Sequence, residues 1–199
     1  MDTFSDFKSF VLKATEIILL DLEQLKIIGD TGNENSGSLT VTVQTTIRPG
    51  DNYPPQESEN ISRCTIPIAM VCFSVIDMIG QWINEQRDDD FGNSAHAFIS
   101  KLSKKDDLKK QNARTKIKDI FRNGIMHSFF AKQGFSVTYP TIENNSLFVD
   151  LNSNGSTLDV KYLLKVVELG LTNLKLELND EKSSLSKSAH HGYQLWLKK

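Results

Sequence analysis

The run from Ile66 to Ile83 is the most apolar stretch of the chain, and it limits the possible folds more than any other segment. Its length alone would permit a membrane span. Asp77 and Gln81 inside it, and the absence of cationic flanks, fit instead a helix buried at the centre of a helical domain, with no membrane as partner. Asp77 carries an implication of its own. A carboxylate in an apolar run is costly unless paired, so it is expected to meet a helix cap, a lysine or an arginine.

The rest of the chain supplies what would cover such a helix. Residues 3 to 28 place Phe7, Phe10, Val11, Ala14, Ile17, Ile18, Leu22 and Leu25 three and four apart, the spacing of a long amphipathic helix, with Gly29 as its stop and a Gly/Asn/Ser loop from Asp30 to Ser38. Leu39, Val41, Val43 and Ile47 nearly alternate with polar residues and predict a strand over 39–47, followed by a polar loop to about Ser62. Arg87 to Gly92 reads as a loop, and Ser94 as the cap of a short helix reaching Lys101. A further helix is expected from about Asp107 to Lys132 or Gly134. Phe135, Val137 and Tyr139 alternate, as do Leu147, Val149 and Leu151, which predicts a β-hairpin over 135–151. Leu158 to Leu178 predicts a last amphipathic helix, with Leu163, Val166, Val167, Gly170, Leu174 and Leu178 on its buried stripe.

The expected fold class is therefore mainly α, a bundle of four to five helices with a small antiparallel hairpin or sheet appended. With 199 residues the chain fits one domain, over 1–180, and 181–199 forms a C-terminal tail. Tyr193, Leu195 and Trp196 suggest that this tail docks on the body or on a partner. Cys64 and Cys72 make neither a disulfide framework nor a metal clamp, and the opening Met-Asp-Thr-Phe-Ser-Asp lacks the pattern of a signal peptide, so a cytoplasmic protein is expected.

Most chemistries find no support in the residues. His96, His127, His190 and His191 do not cluster as metal ligands do, and phosphate-binding Gly-rich loops, a Gly-x-Ser-x-Gly elbow and a dinucleotide fingerprint are missing, so neither metal nor cofactor is expected. Charge is more informative locally than globally. The whole chain sums to −2, yet Lys101 to Lys118 holds eight basic residues against Asp106 and Asp107, a balance of +6. Lys109, Lys110, Arg114, Lys116 and Lys118 are the candidates in this run for contacting an RNA backbone; a solvated helix face is the plainer alternative.

The run leads into Asp119 to Phe130. At about 100° per residue, Ile117, Ile120, Phe121, Gly124, Ile125 and Ser128 share a core-facing side, and Arg122, Asn123, Met126 and His127 share the other. Asn123 and His127 are one turn apart and can touch. Arg122 and His127 are separated by about 140° on a straight helix. Bringing them together requires Arg122 to bend round, the helix to kink at Gly124, or a second subunit to pack on Met126 across a two-fold axis.

Arg122-Asn123-Gly124-Ile125-Met126-His127, late in a helical chain and followed by an aromatic pair, resembles the signature of the HEPN superfamily: an arginine, a polar residue, a few others and a histidine. The resemblance implies an all-α bundle that dimerises so that two motifs face each other. In catalytic members it implies metal-independent cleavage of RNA, with Arg122, Asn123 and His127 as catalytic residues and Met126 at the interface. The candidate function is thus a dimeric ribonuclease, a toxin or defence protein, with an antitoxin or a nucleotidyltransferase as possible partner. The alternative is a non-catalytic HEPN-like dimerisation or interaction module, and a third reading leaves Arg122 and His127 as surface residues of a structural protein.

Overall fold

A computed structural model describes residues 3–35, 65–84, 90–122, 135–140, 145–151 and 155–198. Six helical segments occur among the described residues. They are α1 (Phe4–Asn35), α2 (Thr65–Asn84), α3 (Phe91–Ala97, continued by a π-helical turn Phe98–Leu102), α4 (Gln111–Thr115, continued by a π-helical stretch Lys116–Arg122), α5 (Val160–Glu177) and α6 (Ser184–Trp196). Three strands accompany them: β1 (Phe135–Thr138), β2 (Phe148–Leu151) and β3 (Gly155–Asp159). The architecture is mainly helical with a small sheet, as the sequence pattern predicts.

The apolar run is the hub. α2 contacts α1, α3, α5, α6 and β1, and Ile68, Cys72, Phe73, Ile76, Ile79, Trp82 and Ile83 along it are buried. A helix apolar all round needs such cover. It is also the one helix among the described residues long and apolar enough to cross a membrane, and it spends that apolarity on its own domain.

The segment from 181 is no loose tail. α6 lies along α2 and buries Ala189 and Tyr193, with the Tyr193 ring edge-on to Trp82 at 5.2 Å. Gly192 makes this approach possible: a Cβ there would lie 2.0 Å from the Trp82 carbonyl oxygen. α5 is tied to the end of α3 by two long-range bonds. The Ser103 hydroxyl donates to the Val166 carbonyl at 2.7 Å and the Asn173 amide to the Leu102 carbonyl at 2.7 Å.

Several boundaries differ from expectation. α1 passes Gly29 and ends at Asn35, and Lys161 on α5 pairs with Asp30 at 3.4 Å within the added turns. Asp90, not Ser94, caps α3, accepting from the Gly92 N–H at 2.9 Å, while Ser94 is buried inside the helix. The helix expected from Asp107 begins at Gln111, after Lys110, whose extended backbone (φ −83°, ψ 139°) is its N-cap; the Asp107 carboxylate accepts from the Leu147 N–H at 3.1 Å. The 39–47 strand lies outside the described residues.

The sheet has order β1-β3-β2. The two alternating runs do not pair with each other as a hairpin. β3, of which Leu158 and Asp159 were expected at the start of the last helix, lies between them, parallel to β1 (Val137 beside Leu158) and antiparallel to β2 (Phe148 beside Leu158). Asp159 closes the strand and opens α5 as its N-cap, accepting from the Tyr162 N–H at 2.8 Å, so the helix starts at Val160.

Candidate functional site

Arg122 is the motif residue that the structure describes; Asn123, Met126 and His127 lie outside the described residues. It ends the π-helical stretch that continues α4. A π-helical winding places more residues in each turn than an α-helix does, so the 100° phase no longer applies over Lys116–Arg122. Arg122 consequently turns toward α2 and α3 rather than straight out from the core.

Asp77 and Phe91 hold its guanidinium, and Gln81 steadies Asp77. Nη2 donates to Asp77 Oδ2 at 3.1 Å, forming an ion pair whose side chains are 29% (Arg122) and 23% (Asp77) exposed. The other carboxylate oxygen, Asp77 Oδ1, accepts from the Gln81 amide one helical turn along at 2.9 Å. The guanidinium carbon sits 5.6 Å from the centre of the Phe91 ring, within cation–π range. The arginine expected for Asp77 is thus the motif arginine.

This group lies on the wall of an open cleft of about 280 Å³, lined by Phe73, Ser74, Asp77, Met78 and Gln81 from α2, Arg122 from α4 and Trp196 from α6. The α2 residues come from successive turns of one helix face. Trp196, from the segment expected as a tail, also lines it. A planar cation held between a carboxylate and an aromatic ring, at the edge of a cleft, suits recognition of a phosphate or carboxylate, since its fork of donors matches two oxygens at once.

The basic run divides by function. Lys109, Lys110 and Lys116 line a second cleft of about 380 Å³ with Asp106, Asp107 and Phe148, and the Lys116 ammonium lies 5.9 Å from the Phe148 ring. Arg114 folds back to donate from Nε to the Leu108 carbonyl at 2.8 Å and from Nη2 to the Lys109 carbonyl at 3.3 Å. Lys118 pairs with Asp90 at 3.3 Å. Arg114 and Lys118 therefore serve local structure, whereas the other three present their charge at a cleft. Asp107 ties that cleft to the sheet, and burial together with Asp107 pushes the Tyr162 hydroxyl up to about 12.

Other titratable groups fall outside these clefts. Burial raises the Cys72 thiol far above its ordinary range, which keeps it protonated and unreactive. His96 on α3 is lowered by burial and by Arg114 and Lys101 nearby. No group of three or more His, Cys, Asp or Glu able to hold a metal ion occurs among the described residues.

Sequence reasoning missed Phe91 as the ring under Arg122, and Gln81 and Phe73 as members of its cleft. Gln81 was findable, standing one turn after Asp77 with a side chain that can bond it. Phe91 and Phe73 carry no such signal, because an aromatic residue in an apolar pattern reads equally as core. Comparison of the chain with family models, with curated proteins and with solved structures finds no match.

Proposed function

We propose that the chain is a metal-independent endoribonuclease of the HEPN type, a toxin or defence protein of the cytoplasm, whose site is formed by Arg122, Asn123 and His127 and completed by a second subunit packing on Met126. The observation that carries this reading is the mounting of Arg122. Its guanidinium is aimed by Asp77 and Phe91 at the wall of a cleft, which suits a group that must meet a phosphate in a fixed orientation.

The chemistry follows from residue type. The ribose 2′-oxygen attacks the neighbouring phosphorus, the 5′-oxygen departs, and a 2′,3′-cyclic phosphate and a 5′-hydroxyl remain. His127 takes the 2′-proton or supplies one to the 5′-oxygen, since its ordinary pKa is near neutrality. Arg122 balances the charge that builds on the phosphate oxygens, and Asn123 orients His127 or one of those oxygens. Lys109, Lys110 and Lys116 hold flanking phosphates at their cleft. DNA, lacking the nucleophile, is not cut.

The Asp77–Arg122 pair also favours one competing reading. A carboxylate that cancels the arginine's charge suits a non-catalytic interaction module, in which the same face binds a second copy, an antitoxin or a nucleotidyltransferase. Incubation with RNA in chelator separates the two: the ribonuclease cuts RNA and loses activity on His127→Ala, whereas the module cuts nothing.

A further inference from the structure

An ordinary surface helix has one apolar stripe, but α1 has two. Phe7, Val11 and Leu22 are buried on the side facing α2 and α5. On the far side, Phe10 (37%), Ile17 (60%), Leu20 (56%) and Ile27 (49%) are exposed, with Ile28 (50%) flanking them. Steps of seven and three residues keep these four on one seam of the helix, the spacing by which two helices interlock.

The order of the steps is informative. From Phe10 to Ile17, on to Leu20 and on to Ile27 the chain advances seven, three and seven residues, a spacing that reads the same from either end. The two remaining seam positions, the exposed Lys13 and Gln24, obey the same symmetry. Such a palindrome is what a two-fold contact between identical antiparallel helices requires, because each residue then meets its mirror-position counterpart.

We propose that this outer face of α1 docks a second copy of the chain in antiparallel register, with Phe10 against the second copy's Ile27 and Ile17 against its Leu20. The polar positions select that register. Lys13 then falls against Gln24, whereas a slide of one heptad sets Lys13 against Ile17, and a parallel pairing sets Lys13 against Lys13. The exposed parts of the four apolar side chains together with Lys13 and Gln24 amount to on the order of 500 Å² per chain, so that pairing buries about 1,000 Å², the threshold for a specific interface and the size of a weak one. This contact is argued from α1 alone and stands whether or not the chain cuts RNA.

The test is the mass of the full chain in solution, by sedimentation equilibrium, for wild type, Ile17→Lys and Leu20→Glu. Both positions are exposed, so the circular dichroism spectrum should not change. Each variant is expected to show half the wild-type mass. Mixing the two variants in equal amounts is expected to restore it, because the lysine of one chain then faces the glutamate of the other while the second Ile17–Leu20 layer stays apolar. Unchanged mass in both variants overturns the proposal. So does unchanged mass with a lowered melting temperature, which would show the chain's own segments covering the seam. Halved mass that mixing does not restore overturns the antiparallel register.

Discussion

The seat of α6 on α2 hangs on a hydrogen atom at residue 192. Replacing Gly192 with alanine puts a methyl carbon 2.0 Å from the Trp82 carbonyl oxygen and 2.6 Å from its carbonyl carbon, where ordinary contact begins at 3.4 Å. The obstacle is backbone at the centre of the core, so α6 must back away by about 1.4 Å (3.4 less 2.0). That movement loosens Tyr193 against Trp82 and shifts Trp196 from the cleft that Arg122 lines. Overpacking of this kind costs about 1–3 kcal/mol, with a severe backbone clash at the upper end. Alanine's better helix propensity returns about 1 kcal/mol. The net expectation for Gly192→Ala is a loss of about 2 kcal/mol, or roughly 4–8 °C in melting temperature for a chain of this size. Lys187→Ala, on the exposed side of the same helix, serves as control and should lie within about 0.5 kcal/mol of wild type. Thermal melts followed by circular dichroism decide the matter. A Gly192→Ala protein as stable as wild type would refute the docking of α6 and the place of Trp196 on the cleft wall.

The remaining predictions concern single polar groups. Asp77→Asn keeps the shape and a partner for Gln81 but exchanges a charged acceptor for a neutral one. The pair is partly exposed, so stability should fall by about 1 kcal/mol or less. Under the proposed function the same change should leave RNA affinity equal or higher, one negative charge having gone, while single-turnover cleavage slows by on the order of tenfold because Arg122 is less well aimed; weaker binding with unaltered turnover would count against the positioning role. His190 packs on Phe4 and Phe7 and lies 3.3 Å from Gln194, and burial, helped by His191, lowers its pKa from 6.5. The unfolded chain therefore takes up this proton first as pH drops, so the stabilisation is complete above 6.5 and is lost on acidification toward the lower folded value. Urea midpoints should fall between about pH 7 and pH 5, and less so in His190→Gln; parallel curves for the two proteins would contradict the assignment.

The sequence discloses the features of this molecule that arise from long, one-sided patterns. The central α2, the stripe of α5 and the need of Asp77 for a cationic partner all follow from apolar spacing and the cost of a buried charge. The sheet was less legible because pairing is not a local property. The runs 135–139 and 147–151 both alternate, which makes strands of them without saying which edge each will seek, and Gly155–Asp159 offers so short a pattern that Leu158 reads as readily into the following helix. The direction of Arg122 was hidden by the π-helical winding before it, which no spacing in Lys116–Arg122 announces. Phe91 reaches Arg122, and Trp196 the cleft, through tertiary packing alone, although an aromatic cluster after position 190 did point to a docked C-terminus.

The measurement that bears most directly on the proposed activity is cleavage of a single-stranded and a structured RNA by the purified chain in excess chelator, alongside Arg122→Ala, His127→Ala and an all-deoxy copy of the same sequences. The account predicts cleavage that leaves 2′,3′-cyclic phosphate ends, losses of about 10²–10³-fold for Arg122→Ala and about 10²–10⁴-fold for His127→Ala, and no cleavage of the deoxy strand. An intact RNA after prolonged incubation with wild type, or equal cutting by wild type and His127→Ala, would contradict it.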